Sequence, residues 1–139
     1  MIYPRLGVLV GPLAAAAFSE LRSDVAIMSC GGITPEGITN SHALLIDIQR
    51  AMIRTTGKVI LCLDHTKFSR RSVPQLCDLS EIDIVVTDST APANVVSALM
   101  NQGIGIIIAP ALDATGTDTK AAREKGPKRI SIVVCSLSA

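Results

Sequence analysis

Lys58-Val59-Ile60-Leu61-Cys62-Leu63-Asp64-His65-Thr66-Lys67-Phe68 is the stretch whose reading decides the fold. From Val59 it is apolar without a break, and then it stops in an acid, a hydroxyl and a lysine. Continuous rather than alternating hydrophobicity describes a strand covered on both faces, and Val59 to Asp64 is long enough for one. In open α/β sheets ligands bind just beyond the carboxyl ends of the strands. Asp64, Thr66 and Lys67 fall there.

The same pattern recurs on either side. Asp24 to Ser29 carries Val25, Ala26, Ile27 and Met28, and Ile82 to Thr87 and Gly105 to Ala109 are further buried runs. Helical stretches lie between them. Pro12, favourable at a first helical position, opens one that runs through the alanines to about Leu21. Asn40 or Ser41 can cap a second, with Leu44, Ile48, Ala51, Met52 and Thr55 at helical spacing and Gly57 as its stop. A third spans Pro92 to Gln102 and ends at Gly103. Strand and helix alternate with a unit of roughly 25 to 30 residues, which predicts a parallel sheet with right-handed crossovers. The fold class is therefore α/β, Rossmann-like, a mostly parallel sheet with helices on both faces. Ile2 to Val10 reads as one strand, Ile33 to Asn40 as a turn-rich loop and Pro74 to Leu79 as a connector. Asp113 to Gly126 is polar and weakly helical, and Ile130 to Cys135 reads as an edge strand.

Composition narrows the function classes. The 139 residues suit one domain, and 48% hydrophobic against 18% charged residues excludes a disordered chain. Aromatics are 2%, so the core is built from Val, Ile, Leu and Ala. A net charge of +1 argues against a free-standing nucleic-acid binder. No apolar run reaches about 18 residues, and the amino end lacks signal-peptide form, so a cytoplasmic protein with no membrane contact is expected. Cys30, Cys62, Cys77 and Cys135 form no C-x-x-C pair and read as reduced core residues.

Three strand ends carry candidate chemistry. Gly31-Gly32 lets backbone amides approach an anion, or else makes a tight turn needing positive φ. In Asp64-His65-Thr66-Lys67 the lysine and threonine suit a phosphate, and Asp64 could hold Lys67 or accept from a sugar hydroxyl. The other reading is a loop-capping aspartate and a solvated lysine. Asp88 or Ser89 caps the helix before Pro92, or lines the same row. Cys62 and His65 have the spacing of two metal ligands, but two ligands do not make a site, and no metal or cofactor is expected. A Cys–His nucleophile lacks an oriented base, so no catalytic residue is assigned. Arg70-Arg71 reads as a solvated pair.

Laid out in this order, the chain resembles the carboxyl-terminal sensor domain of DeoR-type (GlpR-like) bacterial transcription regulators. The landmarks are Gly11-Pro12, Leu21 through Asp24, Gly32-Ile33 with Glu36-Gly37-Ile38-Thr39, Arg50-Ala51-Met52-Ile53, Leu79-Ser80-Glu81-Ile82-Asp83 and Val86-Thr87-Asp88. Asp64-His65-Thr66-Lys67-Phe68 resembles the family's Asp-Ser-Ser-Lys-Phe. The resemblance implies a fold similar to ribose-5-phosphate isomerase and the binding of a phosphorylated sugar or related metabolite. Gly31, Gly32, Asp64, Thr66 and Lys67 would line the pocket. It also implies a homo-oligomer and DNA contact only through a winged helix-turn-helix, which this chain does not carry. The expected division is a partial sensor domain over 1–112 and a tail over 113–139. The alternatives are a sugar-phosphate isomerase-like enzyme, with Asp64 as base, or a ligand-free oligomerisation module pairing through Ile2–Val10 and Ile130–Cys135.

Overall fold

The computed structural model describes residues 2–3, 8–110 and 132–135. Its frame is a five-stranded parallel sheet. β1 (Ile2–Tyr3) and β2 (Val8–Leu9) form a small antiparallel pair of their own, Ile2 opposite Leu9. The single strand expected over Ile2 to Val10 is thus two strands that pair with each other. α1 (Pro12–Ser19) follows, with Pro12 in its first turn as the sequence predicts.

β3 (Ser23–Met28), β6 (Thr56–Cys62), β8 (Ile84–Asp88) and β9 (Gly105–Ala109) are the four apolar runs read from the sequence. They lie side by side in chain order, and β10 (Ile132–Cys135) pairs with β3 at the outer edge. The register puts Met28 beside Leu61, Leu61 beside Val85 and Val85 beside Ile106. Met28, Leu61 and Val85 are at most 1% exposed. On the opposite face Ile27, Ile60 and Ile84 are only half-buried. The flat hydrophobicity of these strands therefore matches full burial on one face and partial burial on the other.

α2 (Ala43–Thr55) packs on β3 and β6 and against α1. It buries Leu45, Ile48, Gln49 and Met52, the i, i+3, i+4, i+7 stripe of an amphipathic helix. Neither Asn40 nor Ser41 caps it. His42 holds the N-cap position without a side-chain bond, and the Asn40 Oδ1 accepts from the His42 N–H at 3.1 Å. Gly57 does not stop it either: Thr56 already belongs to β6, and Gly57 lies in that strand. α3 (Ala93–Asn101) packs on β9 and buries Leu99.

A second sheet was not foreseen. β4 (Gly32–Thr34), β5 (Gly37–Thr39) and β7 (Gln75–Cys77) form three short antiparallel strands where the sequence suggests a loop and a connector. Ile33 and Ile38 are fully buried there. The expected polar segment Asp113 to Gly126 lies outside the described residues. Among the described residues no helix is long and apolar enough to cross a membrane. The molecule is an α/β, Rossmann-like protein: a parallel sheet flanked by helices.

Candidate functional site

The carboxyl ends of β3, β6 and β8 lie next to one another. After β6 the chain leaves the sheet at Leu63 and makes a short 3-10 turn, His65–Lys67. Asp64 shapes that turn. Its Oδ1 accepts the Thr66 N–H at 2.8 Å and also the Thr66 hydroxyl. The bond from the Thr66 hydroxyl is the main reason the Asp64 carboxyl is held below its ordinary range, with burial opposing it. The loop-capping role that the sequence allowed for Asp64 is present, and the Thr66 hydroxyl is already donated to it. The other carboxylate oxygen, Oδ2, has no partner among the described residues.

Asp88 ends β8 with the same device. Its Oδ1 accepts the Thr90 N–H at 2.8 Å and the Thr90 hydroxyl. Its Oδ2 reaches across to the β6 loop, accepting the His65 N–H at 2.7 Å and facing His65 Nδ1 at 3.1 Å. Bonds from the Thr90 hydroxyl and the His65 N–H hold its carboxyl well below the usual carboxylate range. The helix-cap role expected for Asp88 is not the one found, since Pro92 holds the N-cap position of α3. Asp88 instead braces the neighbouring loop. The signal that could have found this is the repeated Asp-x-Thr, Asp64-His65-Thr66 and Asp88-Ser89-Thr90, at the ends of adjacent strands.

Lys67 is half-buried, and its ammonium makes no ion pair within 4.0 Å among the described residues. Both Lys67 and Asp64 lie within electrostatic reach of Cys30 at the end of β3, which joins the first strand end to the second. Burial is the main cause that pushes the Cys30 thiol up to about 12, and the Cys77 thiol likewise, so both are neutral small apolar groups. Burial also raises Cys62. No group of three His, Cys, Asp or Glu among the described residues is placed to hold a metal ion.

Gly31 and Gly32 are buried, and neither has positive φ. The Gly31 N–H donates to the Thr39 carbonyl at 2.9 Å. Their small size is used for close packing. A Cβ on Gly32 would stand 1.9 Å from the Arg70 carbonyl oxygen, and one on Gly31 would stand 2.7 Å from the Ser41 nitrogen. The segment they touch is tied back by Ser69 N–H to the Ile33 carbonyl at 3.0 Å and Ser72 N–H to Thr39 Oγ1 at 3.0 Å. The glycine pair thus packs against Ser41 and residues 70 to 72, the latter just past the His65–Lys67 turn.

Behind the row sits a polar brace that sequence reasoning missed. Gln49, fully buried on α2, accepts from Asn40 Nδ2 at 2.7 Å and donates to the Ser29 carbonyl at 3.0 Å. A cleft of about 310 Å³ lined by Arg50, Arg54, Gln75, Asp78 and Glu81 lies elsewhere, beside β7. Arg50 is occupied there by the Leu76 and Gln75 carbonyls at 3.0 and 2.8 Å. Arg71 meets Glu36 at 3.7 Å on the surface.

Residues 1–89 match the family model described as the DeoR C terminal sensor domain. The L-fucose operon activator of Haemophilus influenzae is 33% identical over 85 residues, 60% of this chain and 34% of that protein. The glycerol-3-phosphate regulon repressor of Escherichia coli is 29% identical over 101 residues, 72% of this chain and 40% of that protein. The HTH-type transcriptional regulator GolR of Listeria innocua is 28% identical over 102 residues, 73% of this chain and 40% of that protein. The chain thus spans 34 to 40% of the length of these three curated relatives. With the family model covering most of its length, the chain belongs to the DeoR C-terminal sensor domain family.

Proposed function

We propose that this chain is the effector-sensing part of a transcription regulator and binds a phosphorylated sugar or related metabolite at the strand-end row. The observation that carries the reading is Lys67. A half-buried lysine with no ion pair within 4.0 Å among the described residues, beside an aspartate with one free oxygen, suits an anion that also bears hydroxyls. Lys67 takes the phosphoryl group, and the free Oδ2 of Asp64 takes a hydroxyl. Thr66 fixes Asp64, and Gly31 and Gly32 shape the adjoining wall. Residues 1–112 form the sensing part, with the 132–135 strand of the tail joining its sheet. The E. coli relative is named for glycerol 3-phosphate, and the H. influenzae one for an L-fucose operon. Those names support the ligand class.

Binding proceeds without turnover. An isomerase would need a carboxylate base with its pKa near the working pH. Asp64 and Asp88 are both shifted the other way, toward the weaker base. In the whole regulator, occupancy would alter DNA binding by a part outside this chain, and oligomerisation belongs to the same proposal. The test is calorimetry with a panel of sugar phosphates and glycerol 3-phosphate. Lys67→Ala should weaken the best binder at least about tenfold, about 1.4 kcal/mol, and leave the urea midpoint unmoved. No heat from any of them at millimolar concentration would sink the reading.

A further inference from the structure

The two faces of the parallel sheet are not alike. Met28, Leu61 and Val85 share one face in register, and none is more than 1% exposed. Ile48 and Met52 of α2 and Leu99 of α3 join them in the core. Strand residues alternate sides, so the other face carries two rows: Ile27, Ile60 and Ile84, then Cys62, Val86 and Ile107. Five of these are only half-buried, and Ile107 is 51% exposed. Among the described residues none of the six joins the core or packs against it.

Parallel sheets are stable with both faces covered, and a contiguous apolar patch on a surface marks an interaction site. Four strands about 4.8 Å apart, each about five residues of 3.3 Å, make this patch roughly 300 Å² in flat area. A standard interface takes about 800 Å² from each partner, so an occupant of this face binds weakly and reversibly. The rims of the patch carry opposite charge. Lys58 precedes Ile60 by two residues on the same side, at the amino end; it is exposed and makes no ion pair within 4.0 Å among the described residues. Asp88 follows Val86 by two residues, at the carboxyl end, with its side chain 34% exposed.

Resting on the oligomerisation read above, we propose that this face docks a second copy of the chain, sheet against sheet, with the strands of the two copies antiparallel. The patch is then its own complement. A two-fold axis between the sheets and across the strands lays the isoleucine rows of one copy over the second row of the other. It also brings Lys58 of each copy to the carboxyl rim that holds the partner's Asp88. Parallel docking would set Lys58 against Lys58, and like charges oppose it. Ligand at the strand ends is not required.

Sedimentation velocity of the ligand-free chain from about 1 to 200 µM covers the range of a weak interface. The wild type should pass from monomer toward dimer. Ile60→Glu and Ile107→Glu each bury an unpaired carboxylate in the contact and should weaken association at least about tenfold. Lys58→Glu should weaken it less, with the difference shrinking in about 1 M salt. Val73→Glu, at a fully exposed site away from the sheet, should associate like the wild type. A wild type that stays monomeric throughout removes the oligomer reading together with this face. A dimer that forms equally well in Ile60→Glu and Ile107→Glu removes the face alone. Where circular dichroism shows Ile60→Glu unfolded, Ile107→Glu decides, because its side chain is already half in water.

Discussion

Gly32→Ala tests whether the glycine pair is a packing element. The added Cβ would lie 1.9 Å from the Arg70 carbonyl oxygen, about 1.5 Å short of ordinary van der Waals contact. Backbone is on the far side, so no flexible side chain can swing away. Residues 69 to 72 must move, and that strains two hydrogen bonds, Ser69 N–H to the Ile33 carbonyl and Ser72 N–H to Thr39 Oγ1. Each is worth about 1 kcal/mol and overpacking adds about 1 to 3, so the loss is about 3 to 5 kcal/mol. Urea denaturation followed by circular dichroism measures it. With a slope of about 1 to 3 kcal/mol per molar urea, the midpoint should fall by roughly 2 M. Gly103→Ala is the control. Gly103 has φ of 86° but nothing within 4 Å of a Cβ, so only backbone strain of about 1 to 2 kcal/mol is expected. A Gly32→Ala midpoint within error of wild type, or above that of Gly103→Ala, would refute the packing argument.

Two further outcomes are expected. Gln49→Leu keeps the volume but removes the bond to the Ser29 carbonyl and the partner of the buried Asn40 Nδ2; a loss of about 1 to 3 kcal/mol in urea is expected, and a neutral result would show that the brace is not structural. Asp64 and Asp88 both have folded-state pKa values below their unfolded ones, so their stabilisation is full above the unfolded value of about 3.9 and is lost as pH falls below it. The wild-type melting temperature should drop as pH is lowered from about 5 to 2. That drop should be shallower in Asp88→Asn, and an unchanged slope would contradict the assignment.

The four central strands were legible because each is a continuous apolar run with an abrupt polar end. That end also placed Asp64, Thr66 and Lys67 just beyond the carboxyl end of β6. β4, β5 and β7 were not legible. Each is three residues long, too short for a period to register, and Ile38 pairs with Cys77 far along the chain. The close approach of Gly32 to Arg70 and the Asp88–His65 contact were hidden for the same reason. Residues 32 and 70, like 65 and 88, meet only once the strands have been laid side by side. The capping expectations failed locally. Asn40 is drawn inward by Gln49, a buried partner that outcompetes the role at the helix end.

The outer edge strand has a consequence for how the sheet assembles. Val25 pairs with Lys58 on one side and with Ile132 on the other, separations of 33 and 107 residues by subtraction. Loop-closure entropy grows as about (3/2)RT ln n, so the longer closure is dearer by roughly 1 kcal/mol before any contact forms. β3, β6, β8 and β9 can zip in chain order through short crossovers, whereas β10 must await a β3 edge already in place. Pulse-labelled amide exchange during refolding should find Ile132–Cys135 protected after Val25–Met28. Simultaneous protection would mean that chain entropy does not set the order.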